Sequence, residues 1–282
     1  MTIDIINERL KSYIIETKQA ELNAIKEISQ EVALAGLARA GFFKHAMFQG
    51  GTCLRIIHGL NRFSEDLDFI LNEPDLTFKW ELYLATIKTE FEAFGLSLAV
   101  IDRTKASDAI KKAFLKESSF GKILNLQYER ARSDTQTINI KLEIDTNPPA
   151  GSISETHVLE YPYPLPVITQ NLSSLFSGKC HALLCRKYIK GRDWFDFIWY
   201  IQRRVQPNYT LLKNALEQCG PYQGQSIDVS NQWLTSELAK KIESLDWQVV
   251  ANDVKKFLPN NFIHTVNAWN KDLFLALLKK MN

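Results

Sequence analysis

The chain has 282 residues, of which 45% are hydrophobic and 23% charged, and this composition excludes a collagen-like or a disordered protein. Its formal charge of +2 at pH 7 is too balanced for a histone-like or polybasic membrane-coating protein. Any contact with nucleic acid must therefore come from a local patch. The length allows either one large domain or two of ordinary size, each with its own core, and we expect two.

The first ten residues mix charged and apolar side chains, so they do not form the basic and apolar regions of a signal peptide. The most apolar stretch, residues 32–43, is interrupted by Arg39 and is shorter than the roughly 20 residues of a membrane span. We expect a cytoplasmic protein without a membrane partner. The four cysteines form no CxxC pair, and we expect them to be reduced and mostly buried.

The hydrophobic pattern of the first half predicts alternating helices and strands. The apolar spacing of residues 3–40 predicts two helices, which we expect to form a helical cover. A strand at 46–49 is followed by Gly50-Gly51 and a helix at 52–58, with Thr52 placed to cap its start. The other predicted elements are strands at 66–71, 96–101, 124–128 and 137–144, a helix at 78–94, a mobile basic insertion at 103–122 and a connection at 133–136.

The composition changes after residues 147–151, where Pro162, Pro164 and Pro166 stiffen the chain. From residue 170 to residue 281 the pattern is helical almost throughout. We therefore expect an α+β domain at 1–160, with an N-terminal helical cover, and a mainly helical domain at 161–282. No internal repeat is present.

The segment QGGTCLRIIHGLNRFSEDLDF, residues 49–69, carries the clearest signal for function. Gly50 and Gly51 stand between a strand and a helix, where backbone N–H groups can bind a phosphate. A plain turn would need the same glycines. Asp66 and Asp68 alternate along a strand and therefore share a face, an arrangement that a divalent cation stabilises. The alternative is a solvated strand end.

A third carboxylate is available on the strand at 137–144 and just after it. Lys141, Glu143 and Asp145 share one face of that segment. If it lies beside the Asp66 strand, Glu143 or Asp145 completes a three-carboxylate metal site, and we prefer Glu143. The alternative is an ordinary half-exposed strand.

A second candidate segment, residues 179–200, is helical and basic. Lys179, Arg186, Lys190 and Asp193 follow one helical stripe, but a straight helix would separate Lys179 from Asp193 by about 21 Å. We therefore expect a break with Gly191 as a C-cap and Asp193 near the start of the next helix. Asp193 could equally be only a cap. The aromatic residues 194–199 are expected to be core.

The local charge points to a polyanionic partner. Residues 176–204 contain seven Lys or Arg against two Asp, a local charge of +5. Residues 102–132 are also basic, and a groove lined by both segments could hold an RNA backbone. Candidate RNA or phosphate contacts are Arg186, Lys190 and Arg192.

Residues 49–69 resemble the GGTxL and RxSxDLDF signature of the AbiEii/AbiGii-type nucleotidyltransferase toxins. Residues 179–200, KCHALLCRKYIKGRDWFDFIWY, are similar to the KxxAxxxR…RDxxD segment of that family. The region after Gln202 matches no signature. The resemblance implies a polymerase-β-type nucleotidyltransferase fold with a mixed sheet and Mg²⁺- or Mn²⁺-dependent transfer of NMP from an NTP. It also implies a toxin role beside an antitoxin and tRNA as acceptor.

The resemblance also assigns roles to individual residues. Gly50, Gly51 and Thr52 would hold the triphosphate, with Arg62 and Ser64 matching the same nucleotide-binding signature. Asp66 and Asp68, with Glu143, would bind the metal. Lys179 and Asp193 would form the helical side of a cleft; Asp193 could position the acceptor, act as a base or orient Lys179.

Two rival functions remain at this level. One is a non-catalytic module that binds nucleotide or RNA, and the other is a nucleotidyltransferase that acts on a small molecule. The histidines lack metal-ligand spacing, and neither GxSxG nor GxxxxGK occurs, so other hydrolase and P-loop chemistries are not indicated.

Overall fold

A mixed β-sheet occupies the first part of the chain, and helices follow it. The computed structural model describes residues 2–102, 109–117, 119 and 137–281. The strands are β1 (Ala46–Gln49), β2 (Asp66–Leu71), β3 (Leu98–Asp102), β4 (Ile110–Glu117), β5 (Ile138–Asp145), β6 (Ser154–Leu159) and β7 (Leu165–Gln170). The helices of this part are α1 (Thr2–Lys11), α2 (Lys18–Arg39), α3 (Gly50–Ile56) and α4 (Glu81–Ala93), with a 3-10 turn at Phe42–Lys44.

The seven strands lie in the order β3-β4-β5-β2-β1-β7-β6. Strand β2 pairs antiparallel with β1 and parallel with β5, while β4 pairs antiparallel with β5. Alternation explains the two faces of β2, since Leu67 and Phe69 are buried whereas Asp66 and Asp68 are half-buried. The sheet therefore buries one side of β2 and offers carboxylates on the other.

Helix α2 is buried along most of its length and packs on α4. At the contact, a Cβ placed on Gly36 would lie 2.8 Å from the Cα of Ile87, so only glycine allows this approach. Beside it, aromatic rings fill the core; Phe42 stacks on Trp80 at 5.7 Å and meets Phe69 edge-on at 4.9 Å. This packing covers β2 at Phe69.

The later helices are α5 (Leu172–Cys185), α6 (Gly191–Gln202), α7 (Tyr209–Gln218), α8 (Asn231–Glu243), α9 (Trp247–Lys255), α10 (Asn260–Ile263) and α11 (Lys271–Leu278). Short 3-10 turns lie at His264–Ala268 and Lys279–Met281. Side-chain caps start several of these helices: Asn171, Asn208 and Ser230 each accept an N–H bond from the first turn. Their core is aromatic, with Phe176 stacked on Tyr200 at 4.4 Å and Trp247 on Phe274 at 3.9 Å.

Contacts within the described residues divide the chain into two units. The sheet unit comprises Met1–Gly59, Phe63–Pro148 and Glu155–Thr169, and the helical unit comprises Leu60–Arg62, Pro149–Ser154 and Gln170–Asn282. Both units draw on residues from either side of the expected boundary at 160. Within the described part, no helix combines the length and apolar character that crossing a membrane requires.

The α+β class, with a mixed sheet followed by a helical part, is confirmed. The predicted strand at 66–71 has the observed bounds, and Gly95 follows α4 with the positive φ of a C-terminal cap. The prediction of a mobile insertion at 103–122 is wrong for residues 110–117, which form β4 in the sheet. The remainder of that insertion, apart from residue 109 and residue 119, lies outside the described residues, as do the predicted strand at 124–128 and the connection at 133–136.

Candidate functional site

A row of polar residues crosses four neighbouring strands of the sheet unit. The registers place Gln49 of β1 opposite Asp68 of β2, Asp68 opposite Glu143 of β5, and Glu143 opposite Lys112 of β4. Directly opposite residues share a face of the sheet and lie within side-chain reach of each other. The expectation that the strand of Glu143 lies beside the strand of Asp66 is therefore met.

The glycine turn touches this row. Gly50 has a φ of +80° and opens α3 directly after Gln49. A Cβ at position 50 would lie 2.5 Å from Oδ2 of Asp68, closer than real Cβ contacts allow. Only glycine combines this backbone conformation with this approach to the carboxylate. The turn therefore packs directly against the DxD pair, and Gly51 follows in α3.

Glu143 is held by lysines in this structure. Its Oε2 lies 2.7 Å from Nζ of Lys141, and its Oε1 lies 3.5 Å from Nζ of Lys112. Burial alone would lower the pKa of Lys141, but the hydrogen bond to Glu143 and the charges of Asp66 and Asp68 raise it. Lys141 therefore stays protonated beside the carboxylates, and the two lysines offset part of their negative charge.

Asp145, the other candidate for a third carboxylate, lies further along β5. It stands opposite Ile70 rather than opposite either DxD carboxylate. Its Oδ1 accepts the backbone N–H of Asn147 at 2.9 Å, a local turn contact, and burial raises the pKa of its carboxyl group. These contacts tie Asp145 to the end of the strand.

The DxD carboxylates fit a divalent cation through their chemistry. Mg²⁺ is held in many enzymes by one or two carboxylates together with substrate phosphates and water. Asp66 and Asp68 supply two such groups on one face. Across the described ranges, however, no group of three His, Cys, Asp or Glu side chains is arranged as a metal site. Glu143 would have to leave its lysines to become a third ligand.

Side chains from α2 and α3 fix the backbone around the DxD pair. Gln30 donates from Nε2 to the carbonyl of Ser64 at 3.1 Å, and the hydroxyl of Thr52 donates to the carbonyl of Asp66. The prediction that Thr52 caps α3 is wrong, because the helix already begins at Gly50 and Gln49 occupies the cap position. The Thr52 hydroxyl instead ties α3 to β2.

A second cluster lies in the helical unit around Lys179 of α5. Its Nζ lies 2.7 Å from Oδ1 of Asp193 and 2.7 Å from Oδ2 of Asp196, both on α6. The Lys179 side chain is 12% exposed. An ammonium group carries three N–H donors, so the two carboxylates leave one donor for a further acceptor.

Arg62 is also part of this cluster, through its contact with Asp196. Its Nε and Nη2 donate to the two oxygens of Asp196 at 2.6 and 2.7 Å, a bidentate pair in which both side chains are almost fully buried. We expected Arg62 to contact nucleotide. In this structure Arg62 is buried and paired with Asp196, and its contact with nucleotide stays a prediction.

Asp193 is a charged group at neutral pH. Burial alone would raise the pKa of its carboxyl group, but Lys179, Arg186 and Arg62 outweigh that effect and lower the pKa to about 2. Nη1 of Arg186 donates to Oδ2 of Asp193 in a very short contact. A carboxylate with so low a pKa is a poor general base near neutral pH.

The break between the two helices differs from the predicted one. Helix α5 ends at Cys185, with Arg186 at its C-cap, and Gly191 is the first residue of α6 rather than a C-cap. A Cβ on Gly191 would lie 2.1 Å from the carbonyl oxygen of Val250, and its N–H donates to Asp253 at 2.8 Å. Glycine is therefore required here by close packing of α6 on α9.

The candidate phosphate contacts lie at and after this break, and not on one helical stripe. Arg186 is half-buried against Asp193, and Nζ of Lys190 lies 5.5 Å from the ring centre of Tyr188. The guanidinium of Arg192 lies 4.1 Å from the ring centre of Phe257. As predicted, Asp193 stands in the first turn of the following helix, and Trp194 and Phe197 are core residues.

Sequence reasoning assigned no role to three side chains that the structure places in these clusters. Lys112 lies in the segment that was predicted to be a mobile insertion. Lys141 was placed on the same strand face as Glu143 but was given no function. Asp196 was included only in the count of charges. The signal for Asp196 was present, since it is the last residue of the RDxxD pattern. Lys112 could have been found only by recognising β4.

Comparison with known proteins identifies the family of the chain and the fold that it shares with solved structures. The family model described as nucleotidyl transferase AbiEii toxin of a type IV toxin–antitoxin system matches residues 32–276. The fold is similar to JHP933 from Helicobacter pylori, with 19% identity and a TM-score of 0.53, over 94% of this chain and 90% of that chain. A second Helicobacter pylori protein gives 18% identity and a TM-score of 0.50, over 90% and 95% of the two chains.

MenT4, a nucleotidyltransferase toxin from Mycobacterium tuberculosis, is also similar, with 14% identity and a TM-score of 0.48, over 100% of this chain and 99% of that one. No protein with curated functional information matches the sequence. The glycine turn beside a strand-borne DxD pair, within a family match over most of the chain, defines a nucleotidyltransferase. The chain belongs to the AbiEii family, the nucleotidyltransferase toxins of type IV toxin–antitoxin systems.

Proposed function

We propose that this enzyme transfers NMP from an NTP to an RNA acceptor, with tRNA as the first candidate, in a reaction that depends on Mg²⁺ or Mn²⁺. The observation that carries the proposal is the contact between the Gly50 turn and Asp68, because backbone N–H groups of such a turn could bind phosphate beside a pair of carboxylates. Nucleotidyltransferases in general use an NTP and a divalent cation.

Residues of the sheet unit would bind the nucleotide. Backbone N–H groups of Gly50, Gly51 and Thr52 begin α3 and favour the triphosphate, since the start of a helix attracts anions. Asp66 and Asp68 would hold the cation, with Glu143 as the favoured third carboxylate because it stands opposite Asp68. When bound, the cation would offset charge on the triphosphate. Ser64 would orient the nucleotide beside Asp66.

Residues of the helical unit would complete the reaction. Within the described residues, Lys179 contacts two carboxylates, and its third N–H donor would donate to a phosphate oxygen. The two carboxylates that fix Lys179, Asp193 and Asp196, orient its ammonium group. Of the three roles considered for Asp193, orientation of Lys179 is the one that its lowered pKa supports.

RNA is favoured over a small acceptor by the basic segment that surrounds Lys179. Residues 176–204 carry a charge of +5, and a backbone of phosphates is the ligand that such a segment retains. In the cell, the activity would be restrained by an antitoxin, as the type IV family implies. A small-molecule acceptor is the second candidate, and a binding module without turnover is the third.

The test is transfer of label from each α-labelled NTP to total cellular RNA in the presence of Mg²⁺ or Mn²⁺. Asp66→Asn and Lys179→Met are the active-site variants, and Asp272→Asn, on an exposed position of α11, is the matched control. We expect label in RNA from the wild type and from the control. Both active-site variants should lose it while retaining their circular dichroism spectra.

Each contrary outcome has a definite meaning. Label that persists in Asp66→Asn would remove Asp66 from the mechanism. No label with any of the four NTPs, from folded protein, would contradict RNA as acceptor. Label found in a small-molecule fraction would then support the second candidate, and nucleotide binding without any transfer would support the third.

A further inference from the structure

A cavity of about 230 Å³ lies in the helical unit beside the break between α5 and α6. Its floor is apolar, formed in part by Leu183 and Trp194, both nearly buried. Small-molecule sites usually start at about 300 Å³, so this cavity has room for one ring system rather than for a whole triphosphate and nucleoside.

Positive charge surrounds the opening of this cavity. Four cationic side chains line it, namely Arg186, Lys187, Lys190 and Lys241, against the single carboxylate of Asp193. Arg186 is paired with Asp193. Within the described ranges, the three lysines form no ion pair, although Lys241 donates to the carbonyl of Arg186 at 3.4 Å. Three ammonium groups that form no ion pair within the described ranges therefore line the cavity, a charge that favours an anionic ligand.

An aromatic ring is exposed between these lysines. Tyr188 is 61% exposed, which is unusual for so large a side chain, and it lines the cavity between Lys187 and Lys190 in the sequence. A flat ring flanked by cations is the arrangement that binds single-stranded nucleic acid, since bases stack on the ring and phosphates contact the cations. An acidic peptide would use the charges but not the ring.

We propose that this cavity holds one nucleotide of a single-stranded RNA acceptor, with the base stacked on Tyr188 and the flanking phosphates at Lys187, Lys190 and Lys241. The proposal rests on the proposed function in that RNA is taken as the acceptor. It adds a subsite that selects unpaired RNA. Neither Tyr188 nor Lys187 nor Lys241 belongs to the motifs that identify the nucleotidyltransferase.

The experiment measures binding of a fluorescent single-stranded RNA of about ten nucleotides, a length within the usual site size, to the whole protein by anisotropy without NTP. Tyr188→Ala should weaken binding about tenfold, and Tyr188→Phe, which keeps the ring, should bind within about twofold of the wild type. Because the assay needs no turnover, its outcome is independent of NMP transfer.

The lysines are tested through the salt dependence of the same binding. Lys187→Gln together with Lys241→Gln should reduce the slope of log Kobs against log salt by about 1.4, or about 0.7 for each phosphate contact. The matched control is Lys271→Gln together with Lys280→Gln, two exposed lysines that do not line the cavity. The control should leave the slope unchanged.

Three results would overturn the proposal. The first is RNA binding that is absent, or that Tyr188→Ala leaves unchanged. The second is equal weakening of NTP binding by the same variants, which would make the cavity a nucleotide-substrate site. The third is binding of a poly-glutamate peptide with the same dependence on Tyr188, which would assign the cavity to an acidic protein. If wild-type protein binds RNA through Tyr188 but transfers no NMP, only the proposed function fails.

Discussion

Gly50 lies directly against Asp68, so the residue that starts α3 also sets the position of a carboxylate on β2. A Cβ at position 50 would lie 2.5 Å from Oδ2 of Asp68, and the φ of Gly50 is +80°. Two independent constraints, one on the backbone and one on space, therefore act at the same residue.

Gly50→Ala is expected to abolish NMP transfer and to lower the free energy of unfolding by about 1–2 kcal/mol, the cost of a left-handed alanine. Transfer is lost because the methyl group displaces Asp68. The matched control is Gly59→Ala, since Gly59 has a φ of +71° but nothing within 4 Å of its Cβ position. The control should lose similar stability in urea unfolding and keep its activity. Equal activities of the two variants would contradict the role of the contact.

The third carboxylate can be identified by comparing Glu143→Gln with Asp145→Asn. Glu143 stands opposite Asp68, whereas Asp145 stands opposite Ile70 and accepts an N–H bond from Asn147. We expect Glu143→Gln to lower transfer by about 10- to 100-fold, as loss of a group that orients a metal site does. Asp145→Asn should change transfer little. The reverse order, in initial rates at saturating Mg²⁺, would assign the role to Asp145.

The buried pair of Arg62 and Asp196 should make the helical unit sensitive to the loss of one of the two charges. Asp196→Asn removes the bidentate carboxylate partner of a buried guanidinium, and we expect the free energy of unfolding to fall by about 3–5 kcal/mol. Removing both charges, in Arg62→Met with Asp196→Leu, should cost less. For comparison, Glu92→Gln breaks the exposed pair with Lys88 and should cost no more than about 0.5 kcal/mol. Urea titration measures the free energy of unfolding of the three variants. If the double variant is as unstable as Asp196→Asn, the uneven loss of one charge is not the cause of the instability.

Asp193 predicts a pH dependence of stability at acid pH. Its pKa of about 2 in the folded protein lies below the ordinary value of 3.8, so it contributes stability above pH 3.8 that is lost as the pH falls through 2. The full contribution is about 2 kcal/mol. The difference in unfolding free energy between wild type and Asp193→Asn should therefore narrow from pH 5 to pH 2. A difference that stays constant over that range would show that Asp193 is not stabilised as a carboxylate.

Two glycines of the helical unit should respond oppositely to alanine. A Cβ on Gly191 would lie 2.1 Å from the carbonyl oxygen of Val250, so Gly191→Ala should lower the free energy of unfolding by about 1–3 kcal/mol. Gly178, inside α5, has nothing within 4 Å, and Gly178→Ala should raise it by about 0.5–1 kcal/mol. Thermal unfolding compares the two. A tolerated Gly191→Ala would mean that α9 can move away from α6.

Local pattern was sufficient to predict those elements whose burial alternates regularly. Strand β2 was predicted with its observed bounds because Asp66, Leu67 and Asp68 alternate along it. Strand β4 was missed because Lys111 and Lys112 are adjacent, which breaks the alternation, although Lys111 is buried and Lys112 is not. A buried lysine looks like a surface residue in the sequence.

Long-range contacts could not be predicted in this way. Asp196 was counted only as a charge, because its partner Arg62 lies 134 positions away. Gly191 was assigned to a helix end because its real constraint, the carbonyl of Val250, belongs to another helix. The motif resemblance supplied Asp66, Asp68, Lys179 and Asp193, but several of the side chains that contact them became visible only in three dimensions.

The row formed by Lys112, Glu143, Asp68 and Gln49 also limits where residues can be inserted or deleted, because each strand must keep its register. Side chains alternate between faces, so a one-residue insertion or deletion within β5 would put Leu142 or Ile144 in the place of Glu143. The same applies to β2 and β4. Insertions are expected to be tolerated in the connections and rejected inside these three strands, which a library of single-codon insertions would map directly.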